Sequence, residues 1–414
     1  MTDHDALVRA VCDAPDDDTP RLVFADYLDD HGDHDRAAFV RAQVELARTP
    51  PWEPFAVLCR HRRTDWHTGE PFKHALPPSP PGAGVRWHPR PFHRGFGYRL
   101  EVLSAVDWEE FGRPLFDRAP VGELHLWAAV PPGDWAGHLR SVHLTANPVE
   151  PLRAVCAAPA WLTDVYFHRA NHPGLEFLVA DLLDSRFGGS GRGLHFRTGY
   201  TGVAELLDLL RRHHPLDRLT LANMGLTPDL IREWCDQAGP GRVSELDLTE
   251  NYGIGNDGVR ELTGRRNVLF APKVLALGHC GVSDAGVTAL ARCAGLAGLR
   301  RLDLSRNRLS ARGARFLAGS PHLAGLRSLN LARCRLGDAA VRHLTRATFW
   351  PNLVELDLRG NHFSEVGAGY LLKAPVPPDL TALLLDPEPG GSRAAGRLRR
   401  HFGERVVLGK AAAY

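Results

Sequence analysis

The stretch LRRLDLSRNRLSARGARFLAG, Leu299 to Gly319, spaces leucines three and then two apart, follows them with an asparagine and ends in a run of helical spacing. Apolar residues at alternate positions, Leu302 and Leu304, suit a short strand with one buried face, while Asp303 and Ser305 between them point the other way. Asn307 falls where the chain leaves the strand and its backbone groups lose ladder partners, so a buried side-chain amide is expected to satisfy them. Ser310, three residues on, is a helix N-cap candidate. Ala314 and Leu317 then turn one helical face onto the strand layer. The unit is therefore strand, loop, helix.

The unit recurs. LRSLNLARCRL from Leu326 and LVELDLRGNHF from Leu353 repeat it, and the second leucines fall at 219, 246, 275, 302, 329, 356 and 383, an almost constant interval. The loop position is filled by Asn251, Cys280, Asn307, Cys334 and Asn361. Thr227 (with Pro228 behind it), Ser283, Ser310 and Ser364 are cap candidates, and Ile231/Trp234, Val259/Leu262, Val287/Leu290, Val341/Leu344 and Ala368/Leu371 are helix-face pairs. No unit can bury its apolar face alone, so the units must stack.

On these residues the chain resembles the leucine-rich repeat, in the helix-containing form of ribonuclease-inhibitor-like proteins, over 216–386. The resemblance implies an α/β solenoid with a curved parallel sheet inside and helices outside. Over 95–215 the pattern is degenerate: LRSVHLTANPV from Leu139 fits, whereas Leu124/Leu126, Val165/Phe167 and Leu194/Phe196 keep only the strand, and the markers are unevenly spaced. Strands with irregular outer segments are expected there. Residues 387–414, GSRAAGRLRRHFGERVVL at their centre, are expected to close the array with an amphipathic helix.

Residues 1–50 predict a small all-α module: a helix over Asp5–Ala14, a second with Thr19 as N-cap and Pro20 behind it running to about His31 and stopped by Gly32, and a third opened by Asp35. DDDTPRLVFADYLDDHGDHDRAAFVRAQVELAR resembles the repeat-companion domain of planctomycete bacteria, which implies companionship with repeats rather than a reaction. Residues 51–94 are expected to hold a helix and then a linker, since ALPPSPPGAGVRWHPRPF, Ala75 to Phe92, is too rich in Pro and Gly for a helix or a central strand.

Net charge is +2, but residues 1–50 carry 12 acidic against 5 basic side chains and residues 51–100 carry 3 against 8. That balance points to neither nucleic acid nor a membrane as obligatory partner. No basic start precedes an apolar run, so a cytoplasmic protein is expected, and the repeat-companion resemblance implies a bacterial one. Seven scattered cysteines without a C-x-x-C pair fit reduced thiols. Gly253, Gly255 and Gly258 spell G-x-G-x-x-G after a strand and before a helix, but neighbouring repeats fill the same slot with CGVSDAG and NRLSARG. These glycines are therefore read as part of the strand-to-helix crossing, without a nucleotide. GGSGRG, Gly188 to Gly193, lacks the Lys-Ser/Thr of a phosphate loop. Asp29, Asp30, His31, Asp33, His34 and Asp35 supply ligand types without ligand spacing, and are read as caps and a solvated face. No catalytic constellation, cofactor, metal or small-molecule substrate is expected.

What remains is the strand face opposite the core, where Asp247, Asp303, Asn330 and Asp357 form one column and Glu250, His279, Arg306, Arg333 and Arg359 the next. Two readings stay open for it: mutual ion pairing, such as Asp303 with Arg306 or Arg333 and Asp357 with Arg359, or a partner site. The expected function is a non-catalytic scaffold that binds a protein partner through this face. The alternative is a regulator of another enzyme, an inhibitor or GTPase activator, which only the ribonuclease-inhibitor-like resemblance implies.

Overall fold

The computed structural model describes residues 2–61, 70–78, 84–104, 108–128, 139–145, 162–168, 175–184, 192–197, 202–212, 216–236, 243–264, 271–389 and 391–409. The chain forms two units. One comprises residues 1–50 and 62–198, the other residues 51–61 and 199–414. Most of GGSGRG lies outside the described residues.

In the first unit, α1 (Asp3–Asp13), α2 (Thr19–Asp30) and α3 (His34–Arg48) form the expected module. Thr2 opens α1 in a capping box with Asp5. The other two starts differ from the sequence reading. Thr19 already belongs to α2; the cap position is Asp18, whose carboxylate is held instead by Arg48 Nε at 2.6 Å. The cap of α3 is Asp33 rather than Asp35. Val11, Phe24, Ala25, Leu28, Ala37 and Val40 share a core with Phe96, from the hairpin of β2 (Phe92–His93) and β3 (Phe96–Gly97).

The segment read as a linker supplies an edge strand, β1 (Val85–Trp87), antiparallel to β4 (Arg99–Val102). An edge position tolerates this Pro-rich approach because only one side of the strand must hydrogen-bond. β5 (Glu123–Leu126), β6 (Ser141–Leu144), β7 (Asp164–Phe167) and β8 (Gly193–Phe196) then pair in parallel, with Leu124, Val142, Val165 and Leu194 in one buried row. Four strands thus stand where the degenerate repeats were expected to keep them.

In the second unit β9 (Arg218–Leu221), β10 (Glu245–Asp247), β11 (Val274–Ala276), β12 (Arg301–Asp303), β13 (Ser328–Asn330), β14 (Glu355–Asp357), β15 (Ala382–Leu385) and β16 (Val406–Leu408) form a parallel sheet. The marker leucines 219, 246, 275, 302, 329, 356 and 383 are direct partners across it. Helices follow the strands, among them Pro228–Asp236, Gly255–Thr263, Asp284–Arg292, Ala311–Ala318, Asp338–Leu344 and Glu365–Lys373, and every apolar pair named above is buried on them. The helix Ser392–Phe402 follows β15, and β16 then adds an edge strand that the sequence reading lacks.

The loop amides do what their position requires. Asn307 Nδ2 donates to the carbonyls of Leu277 (2.7 Å) and Leu304 (3.0 Å), and its Oδ1 accepts from the N–H of Cys280 (3.2 Å) and Val282 (2.9 Å). Asn251 and Asn361 repeat this pattern on their own preceding repeats. Cys280 and Cys334 donate Sγ–H at 3.0 Å to Leu248 and Leu304 carbonyls, and burial pushes both thiols up to about 12, so they stay protonated donors. The motif glycines belong to the crossing, where Gly255 has φ +56° and donates its N–H to Cys280 O at 2.9 Å.

Helix caps are shared between neighbours. Ser310 and Ser364 cap their own helices, and each also meets the first-turn Asp of the preceding repeat: Asp284 accepts from Ser310 N at 2.8 Å, and Asp338 from Ser364 N at 2.7 Å. Ser283 differs from the expectation: it occupies the cap position without a side-chain cap bond, and Asn256 Oδ1 accepts from the N–H groups of Ser283 and Gly286.

Residues 51–61 join this unit from far away in sequence. α4 (Pro54–His61) packs Val57 against Val354, Ala382 and Leu384, with Val407 alongside.

Candidate functional site

The strand column of the second unit is in register as expected, Asp303 opposite Asn330 and Asn330 opposite Asp357. Within it Asn330 Nδ2 donates to Asp303 at 2.8 Å, and burial raises the Asp303 carboxyl. Asp357 is buried and held by Arg359 through Nε at 3.0 Å and Nη2 at 2.5 Å, the pair the sequence suggested. Asp247 is half-buried.

The second column needs one correction. Glu250, His279, Arg306 and Arg333 have φ of 65, 55, 57 and 56°, so all four occupy the left-handed turn just past the strand. Each donates its N–H to the next repeat: Glu250 to Gly278, His279 to Ser305, Arg306 to Ala332, Arg333 to Arg359, all at 2.8 Å. Arg359 therefore matches Ala332 and Ser305, one residue out of the column. The true successor of Arg333 is Gly360, with φ +71°. The structure brings Glu250, His279, Arg306 and Arg333 into one row and leaves Arg359 one position earlier in its turn, folded back onto Asp357.

A denser arrangement lies on the first unit, at positions the sequence reading passed over. The residue between the two core positions of each strand is His125, His143, Tyr166 and His195 in turn. Their rings stack. Centroids are 3.9 Å apart for His125–His143, 4.0 Å for His143–Tyr166 and 4.0 Å for Tyr166–His195, with interplanar angles of 5 to 8°, and His88 extends the stack at 4.6 Å. Strands lie about 4.8 Å apart, so the closer rings mark the inside of the sheet's curve. His143 Nδ1 lies 2.9 Å from His168 Nε2, and His195 Nε2 3.0 Å from Asp164. Trp127 stands 48% exposed just past β5. Glu123 is held by Arg99 Nε (3.0 Å) and His125 Nε2 (2.7 Å).

Glu123, His125 and His143 bring three donor atoms within 4.8 Å of one another, the composition of a metal site. The stacking argues against one. With the two imidazoles parallel to 8°, an ion about 2.0–2.1 Å from both nitrogens would sit nearly 2 Å out of each ring plane, off the lone pairs. In the helical module, Asp29 is taken by Arg41 (2.6 Å) and His34 (3.0 Å), and Asp33 caps α3.

Electrostatics keep His143 and His168 neutral. Burial and the neighbouring His125 push His143 down to about 3; burial and Arg197 push His168 down to about 4. Burial alone would raise Glu123, but the His125 hydrogen bond and Arg99 bring it down to about 2. The sign follows from proton uptake. Between about pH 6.5 and the folded values the unfolded chain protonates these imidazoles and the native chain does not, so stability is full above pH 6.5 and falls on acidification. Lowering the pH from 7 to 5 is expected to destabilise the first unit by up to about 1.4 kcal/mol per pH unit per imidazole within that window. Urea unfolding at the two pH values measures this, and His143→Phe should flatten the dependence. An unchanged midpoint in wild type would mean the rings are not held neutral.

In-register parallel strands with an asparagine ladder and outer helices define an α/β leucine-rich repeat solenoid. Three of its units, residues 273–291, 299–318 and 351–372, match the Leucine Rich repeat family model. No curated protein is significantly similar in sequence. Similar solved structures include an internalin from Listeria monocytogenes (16% identity, TM-score 0.35, covering 62% of this chain and 66% of that one). A yeast Rad7–Elc1 complex (17%, 0.41, covering 64% and 76%) and a TLR13–ssRNA13 complex (18%, 0.36, covering 64% and 45%) are others. The fold rests on the register above, not on these scores. No helix among the described residues is long and apolar enough to cross a membrane.

Proposed function

We propose that this chain is a non-catalytic interaction scaffold that binds a protein partner through strand faces opposite the core, with the His125–His143–Tyr166–His195 ladder as the principal contact. The observation that carries the reading is the ladder itself: successive strands each add one aromatic ring to a continuous stack, half-buried at His125, His143 and Tyr166 and buried at His195, with exposed Trp127 just past β5. Rigid aromatic side chains bury large area at little entropic cost and dominate the energetic centres of protein interfaces. The turn row Glu250, His279, Arg306 and Arg333, with Asp247, Asp303 and Asn330 on the strands, is a second and more polar contact. Among its members Glu250, His279 and Arg333 are exposed.

The test compares two double variants of the full chain against one partner, captured from host lysate and then purified. Tyr166→Ala with His143→Ala is expected to weaken binding by at least about 100-fold, since central contacts are worth about 2 kcal/mol or more each. Arg306→Glu with Arg333→Glu should weaken it less. Full affinity in the ladder variant, with its melting temperature within a few degrees of wild type, would remove the ladder from the interface. Loss only in the arginine variant would move the site to the second unit.

A further inference from the structure

The last strands of the second unit carry apolar residues where a sheet facing solvent should not. By register Ala382 and Leu384 of β15 stand opposite Glu355 and Asp357 of β14, on the face away from the core, and Val407 of β16 stands beside Leu384. Both β15 residues are buried, and what covers them is α4, through Val57.

Polar contacts frame this apolar centre at both ends. Ahead of α4, Glu53 pairs with Arg327 at 3.0 Å. At its C-terminal end Arg60 and His61 both reach Glu355, at 3.0 and 2.5 Å, and Ser328 Oγ donates to the same carboxylate at 2.6 Å. The contacting positions 53, 57, 60 and 61 are spaced i, i+4, i+7 and i+8, which is one face of a helix. The charges also suit a helix direction, acid before the first turn and cations in the last. This is helix-in-groove recognition, made here by the chain upon itself.

α4 is eight residues long, below the roughly 12–15 residues at which an isolated helix becomes even marginally stable in water. Its order therefore comes from docking, and its release exposes a preformed groove rather than unfolding the sheet. We propose that the groove over β14–β16 recognises a short amphipathic helix of a partner protein, and that α4 is its built-in occupant, which the partner displaces. The partner helix should carry an acid, then an apolar residue four positions on, then a cationic pair three and four positions further. None of these residues belongs to the aromatic ladder.

A labelled synthetic peptide of residues 51–61, in reducing buffer, probes the groove directly on the full chain. Val57→Asp with Arg60→Glu should free α4, and the peptide is expected to bind this variant at least ten-fold more tightly than wild type by fluorescence anisotropy. Adding Leu384→Glu should return binding to the wild-type level. Equal binding to wild type and to the freed variant would overturn the proposal. Hydrogen exchange on the wild type reads the same question without a variant. Amides of 55–61 should exchange well before those of β13 and β14; exchange of both only at global unfolding would make α4 a fixed staple and sink the displacement. Neither readout touches Tyr166 or His143, so this result and that for the ladder stand or fall separately.

Discussion

Asn307→Ala is expected to destabilise the second unit by at least about 3 kcal/mol, among the largest losses from single substitutions in the regular repeats, since each buried group left unsatisfied costs about 1–3 kcal/mol. The side chain is 2% exposed and serves four backbone groups, the carbonyls of Leu277 and Leu304 and the N–H groups of Cys280 and Val282. Alanine removes the partner of three of them, while the Leu304 carbonyl keeps the Sγ–H of Cys334. Relaxation offers little relief, because two of the four groups lie in the loop of the preceding repeat and their positions are fixed by stacking. Asn307→Cys should recover part of the loss, since Cys280 and Cys334 fill the equivalent slot and donate one bond of the same kind. Chemical denaturation followed by circular dichroism measures the series. Equal midpoints for alanine and wild type would show that the loop groups find other partners.

Leu302→Ala should cost roughly 2–5 kcal/mol, by lost transfer energy and by the cavity left behind. Leu302 is fully buried, between Leu275 on one side and Leu329 on the other, both of them held by their own strands. A side chain flanked in a stacked row cannot be replaced by inward collapse. The control is Arg308→Ala, an exposed position expected to stay within about 0.5 kcal/mol. Comparable losses at 302 and 308 would contradict the strand register.

The regular array was legible because its signals are local and repeated. Leu302, Asn307 and Ser310 each have a counterpart one repeat away, and the strand alternation, the loop amide and the cap agree with one another. The ladder was within reach but hidden. His125, His143, Tyr166 and His195 each sit between two core residues of a strand, yet the markers around them are unevenly spaced, so no fixed period set them side by side. Arg359 was placed by its residue type, whereas the turn selects by φ and takes Gly360 instead. Docking of α4 was beyond any local pattern, because Arg60 and Glu355 are 295 positions apart in the chain.

The two kinds of bond between neighbouring repeats point in opposite directions. Each loop asparagine reaches back, satisfying the preceding unit, as Asn307 does for Cys280 and Val282; the first-turn carboxylates of Asp284 and Asp338 reach forward, to Ser310 and Ser364. At Asn251 and Asn307 the backward bonds to the loop amides are buried, whereas those of Asp284 and Asp338 to the next cap serine are exposed, so the array is asymmetric along its length. Stripping a unit from the N-terminal side forfeits a solvent-exposed cap, worth about 1 kcal/mol. Stripping one from the C-terminal side orphans a buried loop. During synthesis the same asymmetry means that a repeat leaving the ribosome waits, with loop amides open to water, until the next asparagine arrives to complete it.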